Sequence, residues 1–162
     1  MKVDNFALTN FQTCPAKYEL RIRQGWTTRR RSSALGFGGA FHEGLAAWYK
    51  THDLAAALTA IAENWDETVS VDDYRTKEKC IQVMIDYAKR YMDENFQVVG
   101  INEGHPMVEV PFCLDTELVC DDGEPIEYGG IFDTLVDFNG QLWVLEHKTT
   151  SQLGSYYFDQ FK

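Results

Sequence analysis

Long hydrophobic runs are missing from this chain. None of its 162 residues falls in a stretch that approaches the roughly 20 consecutive apolar residues of a membrane-spanning helix. The first residues, Met-Lys-Val-Asp-Asn-Phe, also lack the apolar segment of a signal peptide. These absences argue against a membrane protein or an exported one, and we expect a cytoplasmic protein. Apolar residues still make up 44% of the chain, enough for the packed core of a single domain over residues 1–162.

Closely spaced cysteines are also missing. The four cysteines, Cys14, Cys80, Cys113 and Cys120, form no Cys-x-x-Cys pair. Their spacing therefore indicates neither a zinc knuckle nor a disulfide framework. We expect reduced thiols that behave as small apolar residues.

Positive charge is scarce overall but concentrated in one segment. The net charge of −10 does not favour nucleic-acid binding, yet residues 17–31 carry a net +5 and the remainder −15. Contacts to a phosphate backbone depend on where the cations lie, so a basic segment on an acidic body fits a local phosphate-binding edge. It fits equally a solvated helix followed by a charged loop, and charge alone leaves both interpretations open.

Apolar residues recur at helical spacing through the first hundred residues. The predicted helices are one that Thr9 or Asn10 caps and Gly25 ends, one over 36–51, one that Asp53 caps, and one over about 72–95. His42 falls on the second of these helices, beside small residues that leave space around its imidazole.

Beyond Gly100 the pattern changes to the alternation that is typical of strands. Strands are predicted over 107–113, 118–120, 128–138 and 141–148, with turns between them. Helices followed by a meander of strands predict an α/β or mixed α+β fold, in which helices cover a central mixed sheet of about four strands.

Two carboxylates flank the Asn139-Gly140 turn. A two-residue hairpin at this turn pairs Val136 with Trp143 and therefore Asp133 with Glu146. Their Cβ atoms would then be about 4.5 to 5.5 Å apart, and like charges placed in this way destabilise a sheet unless something compensates for them.

Two groups could compensate for this pair. Lys148 lies two residues after Glu146 and returns to the same face of the strand. A divalent cation is the other candidate, because carboxylate oxygens suit Mg²⁺ or Mn²⁺, and both groups together would suit phosphodiester hydrolysis. An exposed pair that Lys148 merely neutralises is the alternative. Glu109, on a strand that could neighbour the hairpin, is an outside candidate without an assigned role.

Several motifs, taken in order, resemble those of the PD-(D/E)xK nuclease superfamily. Asp133, followed after the hairpin by Glu146-His147-Lys148, resembles the D…(D/E)xK signature. Gly38-Gly-Ala-Phe-His42 is similar to the GxxxH motif of the RecB-like and CRISPR-associated exonuclease branch, and the Cys14-Pro15 segment resembles the first helix of that branch. Phe132 stands where the superfamily has its proline, which is common in this branch. The resemblance spans nearly the whole chain and implies a restriction-endonuclease-like core.

The resemblance implies a role for each matching residue. His42, Asp133 and Glu146 would bind Mg²⁺ or Mn²⁺ together with the backbone carbonyl of His147. Lys148 would orient or activate the attacking water. Just upstream of the His42 helix, three consecutive arginines could hold the phosphates of the DNA strand: Arg29, Arg30 and Arg31.

The family's next motif falls at the end of the chain. It is a glutamine followed four residues later by a tyrosine; Gln160 would be that glutamine, but the sequence stops at Lys162. We therefore expect a nuclease domain that is truncated at its C-terminus. Some members of the branch hold an iron–sulfur cluster, and Cys14 stands in the place of its upstream cysteine. A [4Fe-4S] cluster would require a longer chain that supplies three more cysteines.

The resemblance implies a metal-dependent deoxyribonuclease, and more specifically a DNA exonuclease of recombination, repair or phage DNA processing. Such an enzyme would act on DNA in a bacterial or phage-infected cell, with a helicase or recombination partner that the sequence does not identify. A nuclease-like module that binds nucleic acid or a partner without cutting is an alternative, because the glutamine motif is incomplete. A metal hydrolase acting on a small phosphorylated substrate is a third possibility.

Overall fold

The computed structural model describes residues 1–29, 32–67, 74–101 and 104–150. These residues form a mixed α+β fold with five α-helices and a mixed five-stranded sheet, which confirms the predicted fold class and adds one strand to the predicted number. The chain divides into two compact units, each built from two segments: Met1–Arg30 with Phe96–Leu145, and Arg31–Asn95 with Glu146–Lys162. Among the described residues, every helix is too short or too polar to cross a membrane.

The first unit contains the sheet. Its helical elements are α1 (Asn5–Thr13) and α2 (Pro15–Tyr18), and α2 continues into a π-helical turn over Glu19–Arg23. Its strands are β1 (Lys2–Val3), β2 (Gln97–Val98), β3 (Gly100–Ile101), β4 (His105–Pro106), β5 (Val108–Val119), β6 (Pro125–Phe138) and β7 (Gln141–Leu145). The short strands β3 and β4 pair only with each other and form a separate hairpin.

The long strand β6 is the centre of the five-stranded sheet. It pairs with β1 in parallel and with β2, β5 and β7 antiparallel, so the sheet is mixed. Thr134 pairs with Val108 of β5 and with Leu145 of β7, which places these strands on opposite edges of β6. The middle residues of β6, Thr134, Leu135 and Val136, are buried.

The predicted hairpin forms at the predicted turn. Asn139 and Gly140 have φ angles of 55° and 76°, as a type I′ turn requires, and Phe138 pairs with Gln141 and Val136 with Trp143. Trp143 of this hairpin is 53% exposed. Strand β7 ends at Leu145, so residues 146–148 lie beyond the strand that was predicted to include them.

Asp4 begins the first helix, and the prediction that Thr9 or Asn10 caps it is wrong. The Asp4 carboxylate accepts a hydrogen bond of 2.7 Å from the Ala7 backbone N–H, which satisfies a free donor at the helix start. Asn10 is buried within α1, and its side-chain amide donates to the Phe6 carbonyl at 2.8 Å. Gly25, with φ of 70°, follows the end of the helical segment as predicted.

The second unit contains three longer helices: α3 (Ser33–Thr51), α4 (Leu54–Glu63) and α5 (Lys77–Arg90). Ser32, Asp53 and Thr76 cap their N-termini with side-chain oxygens, and the Asp53 cap was predicted. The core of this unit is formed by apolar faces of all three helices, with Leu45, Trp48, Ala57, Ile61, Cys80 and Met84 among its buried residues. The last helix is shorter than the predicted 72–95 because Thr76 starts it and Tyr91 ends it.

Candidate metal centre

Two carboxylates of the first unit face each other across β5 and β6. Val108 pairs with Thr134 and Val110 with Phe132, so the register places Glu109 of β5 opposite Asp133 of β6. A carboxylate oxygen of Glu109 lies within 4.8 Å of a carboxylate oxygen of Asp133, and both residues are half-buried. Two like charges at this separation disfavour the sheet unless a cation or a proton compensates for them.

The backbone of Glu109 is unusual for a strand residue. Its φ angle is 55°, in the left-handed region that residues with a side chain rarely adopt. Such a conformation costs on the order of 1–3 kcal/mol and persists only where the surrounding structure imposes it. It also interrupts the ladder between Val108 and Val110, at the position where the Glu109 side chain approaches Asp133.

The donor set of this pair fits a hard divalent cation. Carboxylate oxygens are the ligands that Mg²⁺ and Mn²⁺ prefer, and a cation between two carboxylates removes the repulsion between them. The strained backbone of Glu109 is a further feature that is common at ligand sites. The motif predicts Asp133, whereas the sequence assigns no role to Glu109.

The predicted pairing of Asp133 with Glu146 is not part of the hairpin ladder. The ladder follows the predicted register but ends at the pair of Thr134 with Leu145, one residue short. Asp133 belongs to the first unit, and Glu146, His147 and Lys148 follow the end of β7 and belong to the second. On the β5 edge of β6, the carboxylate that faces Asp133 is Glu109, whereas the pairing of Asp133 with Glu146 stays a prediction.

Within the second unit, the Glu146-His147-Lys148 motif lies beside helix α3. The Lys148 ammonium contacts the Glu146 carboxylate, as the sequence analysis suggested for a lysine two residues away. Gly38, the first residue of the GxxxH motif, is close to the residue after Lys148, because a Cβ at Gly38 would lie 3.3 Å from Thr149 Oγ1. A glycine at this position lets the two motifs approach each other.

The two histidines of the motifs occupy different surroundings. His42 is half-buried on α3. The imidazole of His147 is held by two tyrosines of α3 and α5: its Nε2 is 2.9 Å from the Tyr87 hydroxyl, and its ring centroid is 5.7 Å from that of Tyr49. The side chain of His147 is therefore anchored inside the second unit, and its backbone lies between Glu146 and Lys148.

The tyrosines form a continuous hydrogen-bonded chain with His147. The Tyr49 hydroxyl donates to Glu94 Oε1 at 3.0 Å and also contacts the Tyr87 hydroxyl. Because Tyr49 uses its proton for Glu94, the proton between the two hydroxyls must come from Tyr87, and His147 Nε2 must then donate to Tyr87. In this arrangement each of the three hydrogen bonds, from His147 to Tyr87, from Tyr87 to Tyr49 and from Tyr49 to Glu94, has one proton. The imidazole is therefore assigned the form with a proton on Nε2.

The ionisation of these groups follows their burial. Burial raises the pKa of Tyr87 to about 12 and raises that of Tyr49 further. Both phenols therefore keep their protons at neutral pH and remain available as donors. Burial also raises the pKa of Glu94, although the hydrogen bond from Tyr49 and the nearby charges of His147 and His52 act in the opposite direction.

The remaining predicted residues are only partly described. Arg29 is exposed, whereas Arg30, Arg31 and Gln160 lie outside the described residues, so the proposed phosphate contacts and the glutamine motif stay predictions. Cys14 is exposed between α1 and α2, where it caps the end of α1. Cys80 is buried on α5, and burial raises the pKa of its thiol to about 12, as expected for an inert apolar cysteine.

A second cluster of possible ligands, Cys120, Asp122 and Glu124, lies in the turn between β5 and β6. Glu124 makes an ion pair of 2.7 Å with the N-terminal ammonium, and Asp122 accepts a hydrogen bond of 3.1 Å from the Glu124 backbone N–H. These contacts account for the carboxylates as parts of an exposed turn, so the cluster gives no reason to place a metal there.

Comparison with known proteins agrees with the motifs. No curated protein and no solved structure matches the chain. The family model described as the PD-(D/E)XK nuclease superfamily matches residues 6–157, which include Gly38, His42, Glu109, Asp133 and the Glu146-His147-Lys148 motif. Because this match covers most of both units, the chain belongs to the PD-(D/E)XK nuclease superfamily.

Proposed function

We propose that this protein is a metal-dependent deoxyribonuclease and that it acts as an exonuclease on DNA ends. The observation that carries the proposal is the pair of half-buried carboxylates, Glu109 and Asp133, on opposed strands of a chain from a nuclease superfamily. Superfamily membership supports hydrolysis of phosphodiester bonds. The carboxylate pair supports a divalent cation as the cofactor, with Mg²⁺ or Mn²⁺ as the best matches for oxygen ligands.

The proposed ligands are His42, Asp133, Glu146 and the backbone carbonyl of His147, with Glu109 added because it faces Asp133. All but Glu109 are assigned from the family motifs. An imidazole ligand favours Mn²⁺ as a substitute for Mg²⁺, since nitrogen ligands suit Mn²⁺ better. A divalent cation held by these residues supplies Lewis acidity to the scissile phosphate and to the attacking water.

Lys148 is the proposed residue that orients or activates the attacking water. Its contact with Glu146 restrains a side chain that would otherwise sample many rotamers. The pair is exposed and contributes little to stability, so its value lies in fixing the ammonium beside the Glu146 carboxylate. The hydroxyl of the next residue, Thr149, lies close to Gly38 of α3.

Several parts of the proposal rest on the family motifs alone. Arg29, Arg30 and Arg31 would hold phosphates of the DNA strand, and Gln160 would support the site. Cys14 would ligate a [4Fe-4S] cluster only if further cysteines follow in a longer chain. The biological setting that we propose is recombination, repair or phage DNA processing in a bacterial or phage-infected cell, alongside a helicase or recombination partner.

The test compares degradation of a labelled linear duplex with that of a closed circular duplex, in Mg²⁺, in Mn²⁺ and in EDTA. We expect metal-dependent loss of the linear DNA while the circle survives. Asp133→Asn, Glu109→Gln and Lys148→Ala should each lower the rate, with Asp133→Asn causing a loss of at least about 100-fold because it removes a direct ligand. Glu127→Gln, an exposed carboxylate on the same strand as Asp133, is the matched control and should keep the wild-type rate.

A thermal-shift titration with Mn²⁺ separates an inactive binder from a protein without a metal site. The wild-type chain and Glu127→Gln should gain stability as Mn²⁺ rises, because a ligand that binds only the folded state stabilises it. Asp133→Asn should gain much less. Cleavage that survives both Asp133→Asn and Lys148→Ala would overturn the assigned site, and cutting of the circle would replace exonuclease by endonuclease action.

A further inference from the structure

The second unit contains an open cavity of about 480 Å³ next to Lys148. Its lining comes from the start of α3, from the segment before α5 and its first turns, and from residues 148–150. Phe37 and Phe41 of α3 contribute an apolar floor, and both are buried. The cavity is therefore built from three separate parts of the chain, one of which carries the proposed catalytic lysine.

The charge of this cavity is opposite to that of the whole chain. Arg75, Lys79 and Lys148 line it, and no aspartate or glutamate is among the described residues of the lining. The chain as a whole carries a net charge of −10. Lys148 also contacts the Glu146 carboxylate, which offsets part of its charge, but cations still outnumber acids among the described residues of the lining. Such a local excess of positive charge attracts a phosphate chain even to an acidic protein.

An exposed aromatic side chain stands at the same opening. Tyr74 lines the cavity and is 80% exposed, which is far more than any packing role requires. Arg75 follows it directly, and Lys79 lies in the first turn of α5. A flat ring beside cations is the combination with which proteins bind single-stranded nucleic acid, since the ring stacks on a base and the cations contact phosphates.

We propose that this cavity binds a single DNA strand that leads to Lys148, with Arg75 and Lys79 on its phosphates and Tyr74 stacked on a base. A single strand is the favoured occupant because the bases of a duplex are already stacked on each other and cannot offer a face to Tyr74. The apolar floor of Phe37 and Phe41 accommodates the base or sugar of a strand that enters the cavity. The proposal rests on the proposed function in its choice of DNA, but it concerns binding and not cutting.

The test measures binding of a fluorescein-labelled oligothymidylate of about 12 nucleotides by fluorescence anisotropy in EDTA, where metal-dependent cleavage cannot occur. Arg75→Ala/Lys79→Ala should weaken binding at least about tenfold at low salt and reduce the slope of log Kd against log salt by about 1.4, since about 0.7 is lost for each phosphate contact. Tyr74→Ala should weaken binding by about tenfold, and Tyr74→Phe should stay within about twofold of wild type because it keeps the ring.

The matched control removes the same charge from the other end of the same helix. Lys89 and Arg90 are exposed in the last turn of α5, and neither lines the cavity. Lys89→Ala/Arg90→Ala should bind the oligonucleotide within about twofold of wild type. Circular dichroism of each variant verifies that α5 still forms, so that weakened binding cannot arise from unfolding.

Each outcome decides between the two proposals. If both double variants weaken binding equally, or if Tyr74→Ala binds like wild type, the cavity is not the binding site even if the protein cuts DNA. If the cavity variants lose binding as expected while no metal supports cleavage, the strand-binding inference stands and the nuclease proposal fails. Absence of single-strand binding by the wild-type chain overturns the inference directly.

Discussion

At the scale of single residues, His147 links the Glu146-Lys148 motif to the core of the second unit. Its imidazole donates to Tyr87, which in turn contacts Tyr49, and Tyr49 donates to Glu94. The side chain that separates the proposed ligand Glu146 from the proposed catalytic Lys148 is therefore fixed by a chain of hydrogen bonds. Tyr87 acts through His147 and contacts neither the metal nor the substrate, so its proposed role is to position the motif.

Tyr87→Phe tests this positioning role. The substitution keeps the ring contacts with Phe41, Tyr49 and Tyr91 but leaves the His147 Nε2–H without its acceptor. We expect a loss of about 1–2 kcal/mol in the free energy of unfolding, the usual cost of an unsatisfied partly buried donor. We also expect a lower kcat with little change in KM, since the backbone between Glu146 and Lys148 loses a restraint while the DNA-binding residues are untouched.

Tyr91→Phe is the control for this change. The Tyr91 ring packs against that of Tyr87 at a tilt of 42° and a centroid distance of 4.7 Å, and phenylalanine preserves that contact. Urea unfolding and initial cleavage rates of the two variants are compared under the same conditions. A Tyr87→Phe protein with the stability and kcat of Tyr91→Phe would show that the hydroxyl chain does not position His147.

The sequence identified some of these residues and could not identify others. Asp133, Glu146, His147 and Lys148 were predicted because short motifs carry them. Glu109 was left unassigned because the register between β5 and β6 joins positions 24 residues apart, and no local turn fixes it as Asn139-Gly140 fixes the hairpin. Tyr49 and Tyr87 lie on helices, at positions whose spacing predicts burial. That spacing does not predict which residue of another segment forms a hydrogen bond with their hydroxyl groups.

At the scale of elements, the packing of α3 on α4 depends on one glycine. A Cβ at Gly44 would lie 2.7 Å from Ile61 Cγ1 and 3.3 Å from the Ala57 backbone carbonyl oxygen. Ile61 is fully buried, and the Ala57 carbonyl belongs to a helical backbone that cannot yield easily. The two helices therefore approach each other at a distance that only glycine permits.

Gly44→Ala and Gly39→Ala form a matched pair on the same helix. Both changes favour the helix by about 1 kcal/mol, because alanine has the higher helix propensity. At Gly39 a Cβ meets nothing within 4 Å, so this variant should gain about 0.5–1 kcal/mol in the free energy of unfolding. At Gly44 the clash should outweigh that gain and give a net loss of about 1–3 kcal/mol.

Urea unfolding of both variants measures the difference directly. Equal stabilities would mean that α3 and α4 do not pack as closely as Gly44 and Ile61 indicate. Gly39 also makes the pair informative because it lies within the GxxxH motif. A stabilised Gly39→Ala protein would show that the helix around His42 forms with alanine at position 39 and does not need both Gly38 and Gly39.

Elements were predicted best where local chemistry defines them. The Asp53 cap, the Gly25 stop and the Asn139-Gly140 hairpin each depend on a few neighbouring residues, and all three are confirmed. The strands predicted over 107–113 and 118–120 form one strand, β5, with a bulge at which Glu117 has a φ of 60°. The Thr116 hydroxyl supports that bulge by donating to the Ile126 carbonyl, a contact across strands that the sequence does not display.

At the scale of the whole molecule, neither compact unit is a continuous stretch of chain. In the sequence, residues 31–95 of the second unit lie between the two segments of the first, and the second unit also contains the residues after Leu145. If the second unit unfolded alone, the first would have to close a flexible loop of 65 residues, at an entropic cost of about 4 kcal/mol. That cost is comparable with the whole stability of many domains, which supports the prediction of a single cooperative domain.

Native-state hydrogen exchange in increasing urea tests whether the two units unfold together. The slowest amides of β6, such as Leu135, whose N–H donates to the Met107 carbonyl at 2.9 Å, report the first unit. The slowest amides of α3 around Leu45 and Trp48 report the second. If the interleaved connectivity couples the units, both sets should reach the same free energy of opening and the same dependence on urea, because only global unfolding exposes them.

A lower opening free energy in α3 with a smaller urea dependence would mean that the second unit unfolds by itself and would make the single-domain prediction wrong. Since the family motifs are divided between the units, that result would also mean that the second unit can lose His42 and Lys148 from their native positions while the Glu109–Asp133 pair stays intact. In that case Mn²⁺ should raise the opening free energy of α3, provided that His42 and Glu146 are ligands as proposed, and should raise that of β6 at least as much, because global unfolding releases every ligand.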